Sequence, residues 1–274
     1  MIYKVSYMAD GLNVKGYLGF PNEIHVTKQE ITELFNDLPV EEVASSIVSN
    51  RVLLGEGKWP AFIYCRGGIG RIGRVKPSWV EAFAKQGYIV FAPCYRGHEG
   101  GEGRDEFGGA DTEDVHSAFR LLESFSFVDK KKISIMGFSR GAINATLTSI
   151  VMPSIHRLVL WGGVSCLRQT YEERIDLRRM LKRVIGGSPN KLPLAYHLRS
   201  PIEFAKDINC PVLIIHGTTD SQVDVSHGVN MYEQLNLYSK KTTIHLYEGY
   251  GHHLPFDVHH DAIRKMFSWI EDKY

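Results

Sequence analysis

From Ala61 onward the chain repeats one texture: short apolar runs (AFIYC, YIVFAPC, ISIMGF, LVLWGG, PVLIIHG, TTIHLYEG) separated by stretches with helical periodicity. An apolar run without polar alternation suits a strand buried on both faces. Such strands belong to parallel sheets whose crossover helices cover both sides. Helices are predicted at Pro77 to Gln86, stopped by Gly87, and at Thr112 to Ser124, with Val115, Ala118, Phe119 and Leu122 on one face. Three more are predicted at Gly141 to Val151, Ser226 to Leu235 and Pro255 to Asp272. The fold class is α/β.

Two β-prone runs, Ile2 to Tyr7 and Val14 to Phe20, flank Ala9-Asp10-Gly11, and Asp-Gly between such runs is a hairpin signal. The sheet is therefore expected to begin with antiparallel strands. Residues Thr27 to Leu38 place Ile31, Leu34, Phe35 and Leu38 at helical spacing behind a capping threonine and before Pro39, which predicts a short amphipathic helix.

No Pro, Gly or Ser-rich linker divides the chain, and 43% apolar residues suffice for one sizeable core. A single domain over residues 1–274 is expected. Residues 164–208, with the basic stretch Tyr171 to Val184 and the turn Gly186-Gly187-Ser188-Pro189, are too long for a simple crossover. A small helical cap insertion is predicted there.

Lys plus Arg total 32 against 31 for Asp plus Glu, and no long basic run would track a phosphate backbone, so nucleic acid is not an expected partner. Cys65, Cys94, Cys166 and Cys210 are far apart and form no CxxC pair, which argues against a disulfide framework. The start, MIYKVSYMAD, lacks signal-peptide character, and no apolar stretch is long enough to span a bilayer. A cytoplasmic protein without a membrane partner is expected; association into homo-oligomers is left open.

In an open parallel sheet the chemistry sits just beyond the carboxyl ends of the strands. Gly137-Phe138-Ser139-Arg140-Gly141 lies between a predicted strand and a predicted helix. A G-x-S-x-G turn there exposes the serine hydroxyl, with small residues where the backbone is crowded. An ordinary strand-to-helix turn with serine as cap would use the same residues. A serine hydroxyl needs a base to take its proton, and that base needs an orienting carboxylate. Asp220, directly after PVLIIHGTT, is the candidate acid, with Asp224 its rival. His252, in YEGYGHHLPF, is the candidate base, with His253 its rival; His252 follows Gly251, which permits a tight approach. The order Ser, acid, His, each after its own strand, is that of the α/β-hydrolase fold.

Charge developing on a carbonyl oxygen calls for fixed N–H donors. The backbone N–H of Arg140, next to the serine, is one candidate. Gly68, in Arg66-Gly67-Gly68-Ile69-Gly70 after AFIYC, is the other, with Gly67 and Ile69 as alternatives. Arg66 and Phe138 are candidate substrate-binding residues. Arg66, Arg71, Arg74, Arg96, Arg104 and Arg140 crowd these segments. They read either as a site for a substrate carboxylate or phosphate, or as ion-pair partners for Glu99, Glu102, Asp105, Asp111 and Asp114. No metal or organic cofactor is implied.

The segments DGLNVKGYLGFP, RGG, CYRGHEGGEGRDEFGGADTEDV, GFSRGA, SPIEFAKDINCPVLIIHGTTD and YEGYGHHL, in this order and spacing, resemble the prolyl oligopeptidase family of serine peptidases and its smaller esterase relatives. The resemblance implies the α/β-hydrolase fold, Ser139 as nucleophile, Asp220 as acid, His252 as base, and Gly68 with Arg140 as oxyanion donors. It departs at Arg66, where the family loop usually begins with His. The region before Ala61 is also too short for the β-propeller of the full-length peptidases, so a catalytic domain alone is expected. The expected activity is hydrolysis of amide or ester bonds in small-molecule or short-peptide substrates through an acyl-enzyme. A carboxylesterase or thioesterase without peptidase activity is the nearer alternative, and a non-catalytic binding protein on the same scaffold the more distant one.

Overall fold

In the computed structural model, residues 1–36, 38–45, 52–70 and 72–272 are described. The chain opens with β1 (Ile2–Ala9) and β2 (Leu12–Gly19), joined by the two-residue turn Asp10-Gly11. Both turn residues have positive φ, 50° and 74°, the conformation whose twist matches paired strands. After β3 (Ile24–His25) comes α1 (Lys28–Leu34), held by a capping box between Thr27 and Glu30. The helix stops at Leu34 instead of running to Leu38, because Asn36 turns to φ 51°, a left-handed conformation that ends helices. Asp37, inside the predicted span, lies outside the described residues.

Next come β4 (Val40–Ala44), β5 (Val52–Leu53), β6 (Trp59–Cys65), α2 (Pro77–Ala84), β7 (Ile89–Pro93), α3 (Thr112–Ser124), β8 (Val128–Phe138), α4 (Gly141–Val151) and β9 (Leu158–Trp161). Between β9 and β10 (Val212–Gly217) lie the short helices α5 (Leu167–Glu173), α6 (Arg178–Ile185) and α7 (Pro193–His197). The chain finishes with α8 (Val225–Leu237), β11 (Thr242–Tyr247) and α9 (Phe256–Glu271). Among the described residues no helix is long and apolar enough to cross a membrane.

Nine strands make one sheet in the order β11-β10-β9-β8-β6-β7-β2-β1-β4 among the described residues, parallel from β11 to β7 and antiparallel from there on. The apolar runs are buried because both faces are covered. Ile63, Ile135, Leu158 and Ile214 point into a core with α3, α4 and α8, while Phe62, Met136, Val159 and Leu213 point into one with α2 and α9. A third cluster, including Ile143 of α4, Leu167, Tyr171, Leu181 and Tyr196, packs the helices after β9 onto the body.

The strand order fixes where a site can form. From β6 the chain moves out to β7, then returns to place β8 on the other side of β6. Loops leaving β6 and β8 diverge there, which opens a crevice at the carboxyl ends of the strands. Register brings the two ends level, since Cys65 pairs with Gly137.

Candidate active site

Ser139 directly follows β8 with φ 55°, a left-handed value rare for a side-chain-bearing residue. The turn is fixed on both sides: the Ser139 N–H donates to Trp161 O at 2.9 Å, and its carbonyl accepts from Ala142 and Val164 at 3.1 Å each. Gly141 is required because a Cβ there would collide with the carbonyls of Cys65 and Arg66 at the end of β6. On the facing loop, a Cβ on Gly67 would lie 2.8 Å from the Ser139 Cβ. These glycines let the two loops touch.

Asp220, in the turn after β10, is buried. Its Oδ1 accepts from the N–H groups of Gln222 and Val223 at 2.8 and 3.0 Å. Its Oδ2 lies 2.7 Å from His252 Nδ1, on the loop after β11, so Nδ1–H donates to the carboxylate and Nε2 is left as the basic nitrogen. His216, the next-to-last residue of β10, is a second imidazole on this carboxylate. Its Nε2 carries a proton, since it donates to Val223 O at 2.9 Å, and it lies 3.5 Å from Asp220 Oδ2. Burial pushes the Asp220 carboxyl up, but hydrogen bonds to His216 and His252 and the charge of His252 outweigh it and hold the group well below the usual carboxylate range.

The rivals occupy other positions. Asp224 caps α8, its carboxylate accepting from Ser226 N at 2.9 Å. His253 stacks on Phe138 with ring centroids 5.4 Å apart and makes no described hydrogen bond to a carboxylate.

Ser139, His252, Gly67 and Gly68 line one cavity of about 170 Å³. Ile69 instead packs against the cluster under the post-β9 helices. Among the described residues, no protein acceptor takes the N–H of Arg140 or of Gly68. Phe138 forms a wall of the cavity, edge-on to Trp79 at 4.9 Å and against His252 at 4.8 Å. Tyr64, Arg74, Lys76 and Gln222 complete the lining with Trp79, Ile72 and His253.

Arg66 requires a correction. Its side chain does not line the cavity but is 1% exposed beneath the loop, donating to Cys94 O at 2.6 Å and to Gly67 O and Gly68 O at 3.2 and 3.0 Å. Its donors are taken by backbone, so the expectation that it contacts substrate fails. The Arg140 guanidinium is equally buried: it meets Asp105 at 2.6 Å and Asp111 at 3.0 Å, and both arginines stack on Tyr95. Burial raises the Asp105 carboxyl, but Arg140, His98 and Arg66 outweigh it and hold the group far below its ordinary value. Asp111 also accepts from Asn144 at 2.8 Å, which ties this loop to α4. Arg96 pairs with Asp114 at 2.8 Å, and Arg104 donates to Arg183 O at 3.0 Å. Glu99 and Glu102 bind Tyr17 and the Asn13 N–H instead of an arginine. Arg71 lies outside the described residues, which leaves Arg74 as the arginine seen at the cavity.

The arrangement presents a half-buried serine on a left-handed turn and an imidazole oriented by a carboxylate at one crevice, with the N–H of Gly68 on its lining and that of Arg140 next to the serine. The sequence profile of the prolyl oligopeptidase family matches residues 75–274. The chain belongs to the prolyl oligopeptidase family. It is therefore a hydrolase of the serine peptidase type. Within the family it is 39% identical to the uncharacterized peptidase YtmA of Bacillus subtilis (strain 168), over 99% of this chain and 94% of that protein. It is 24% identical to dipeptidyl-peptidase 5 of Porphyromonas gingivalis, over 71% of this chain but 30% of that protein. The fold matches the acylaminoacyl peptidase of Pyrococcus horikoshii with a TM-score of 0.73 at 16% identity, covering 98% of this chain and 41% of that one. It matches a puromycin-hydrolyzing peptidase of Mycobacterium tuberculosis with a TM-score of 0.75 at 20% identity, covering 97% and 39% respectively. The chain thus spans about two fifths of these solved structures.

Sequence reasoning missed His216 and the cavity cation Lys76, whereas Arg74 was among the six arginines it offered either as an anion site or as ion-pair partners. His216 carried a signal: it stands four residues before Asp220, at the carboxyl end of an apolar run.

Proposed function

We propose that this chain is one catalytic unit over residues 1–274, with residues 164–208 as its cap, that hydrolyses short peptides and small acyl esters through a Ser139 acyl-enzyme. The observation that carries the proposal is the 2.7 Å contact of His252 Nδ1 with buried Asp220, in the crevice that holds Ser139. His252 Nε2 takes the Ser139 proton as Oγ attacks the carbonyl carbon. The N–H groups of Arg140 and Gly68 hold the oxyanion, each contributing about 3 kcal/mol. Collapse of the tetrahedral intermediate breaks the scissile bond, and His252 returns the proton to the leaving amine or alcohol. Water, deprotonated by the same nitrogen, then releases the acyl group. Asp220 stabilises the imidazolium that forms twice in the cycle.

The peptidase names of YtmA and the solved neighbours favour amide cleavage, and the same steps open an ester. The four cysteines are unpaired, which suits the reducing cytoplasm. Neither nucleic acid nor a membrane is assigned as a partner. Ser139→Ala should lower turnover by about 10⁴-fold or more while circular dichroism is unchanged, and a fluorophosphonate should label wild type but not the variant. Undiminished activity in that variant would overturn the mechanism. A panel of p-nitrophenyl esters beside aminoacyl and acyl-aminoacyl amides ranks the two bond types.

A further inference from the structure

The cavity in front of Ser139 has a one-signed wall. Arg74 and Lys76 line it, both are exposed, and among the described residues neither has an ion-pair partner. No Asp or Glu is among its described lining residues. Lys76 is also the N-cap residue of α2, whose first turn contains no acidic side chain and whose cap makes no side-chain hydrogen bond. The positive end of that helix is therefore uncompensated and adds to the two side-chain charges. Next to this wall, His253 is held below the ordinary imidazole range, by burial first and then by the charges of His252 and Lys76. Tyr64, Trp79 and Phe138 supply aromatic walls, and Lys76 Nζ lies 5.9 Å from the centre of the Trp79 ring. A site with apolar walls and an unneutralised cationic edge accepts a group that is apolar in body and anionic at one point.

Resting on the hydrolase reading above, we propose that Arg74 and Lys76 form an anion subsite beside the scissile bond, which takes the free C-terminal carboxylate of a short peptide's leaving segment. The α-carboxylate is the anion that every peptide carries, and a small cavity brings it within reach only when few residues follow the cleaved bond. The chain thereby selects short peptides with free C-termini.

The test compares an N-acylated dipeptide or tripeptide with a free C-terminus against the same peptide as its C-terminal amide, at low ionic strength. An N-succinyl peptide amide, with its carboxylate on the acyl side, serves as the third substrate. Wild type should favour the free acid over the amide by about tenfold in kcat/KM, and the preference should shrink as salt rises. Arg74→Gln with Lys76→Gln should abolish the preference, and Arg74→Glu with Lys76→Glu should reverse it. Equal kcat/KM for acid and amide in wild type, or a preference that survives the charge-reversed variant, would overturn the subsite. A preference for the succinyl substrate alone would overturn its placement on the leaving side. Fluorophosphonate labelling of Ser139 separates the two failures: a labelled enzyme without preference loses only the subsite, whereas an unlabelled one loses the hydrolase mechanism.

Discussion

Behind the Ser139 turn, Arg66 and Arg140 are buried among Asp105, Asp111, Tyr95 and backbone carbonyls; in front of it, Arg74 and Lys76 stand exposed at the cavity with no ion-pair partner among the described residues. All four cations come from segments adjoining the same crevice. What separates them is whether the protein itself satisfies their donors. A guanidinium whose hydrogens are taken by carboxylates and carbonyls holds loops together, while one left in water keeps its charge for a ligand. The rear cluster ties the 94–111 loop, the glycine loop after β6 and the start of α4 into one body.

Breaking the rear half should cost most. Arg140→Met leaves the carboxylates of Asp105 and Asp111 buried without their main counter-charge and should destabilise the chain by about 3–5 kcal/mol, read as a fall in the urea midpoint. Asp105→Asn should have a smaller effect, about 2 kcal/mol at pH 7, with a pH signature. Because the folded Asp105 carboxyl lies far below its unfolded value, its stabilisation is complete above about pH 4 and is lost as pH falls toward the depressed folded value. The stability gap between wild type and Asp105→Asn should therefore narrow on acidification from pH 5 to pH 3; a constant gap would show that Asp105 gains nothing from its arginines. The front half should be nearly silent: Arg74→Gln with Lys76→Gln should shift stability by no more than about 0.5 kcal/mol in the same titration. A large loss there would erase the contrast.

The parts that were legible in the sequence share a local cause. Strands buried on both faces read as unbroken apolar runs, and Ser139, Asp220 and His252 each stand just past one. The Asp10-Gly11 hairpin and the Thr27 cap are likewise local chemistry. Arg66 was misread because the direction of a long side chain is set by tertiary packing: the 94–111 loop folds back and offers Cys94 O and the Tyr95 ring. β4 escaped notice because none of Val40–Ala44 is fully buried, so no apolar pattern marks it. Gly67 and Gly68 were legible as a loop, but only the pairing of Cys65 with Gly137 shows that this loop faces the serine.

The sheet order has a consequence for how the protein fails. β11, which leads into the His252 loop, is an edge strand, and none of its six residues is fully buried, whereas all six of β10 are. Edge strands with little buried surface open at lower free energy than the strands they pair with. The imidazole therefore follows the less buried strand of this pair, while the serine follows β8 and the carboxylate follows the fully buried β10. On the hydrolase reading above, activity is expected to fall at lower urea than the circular dichroism signal and to return on dilution; coincident loss of the two signals would sink this expectation.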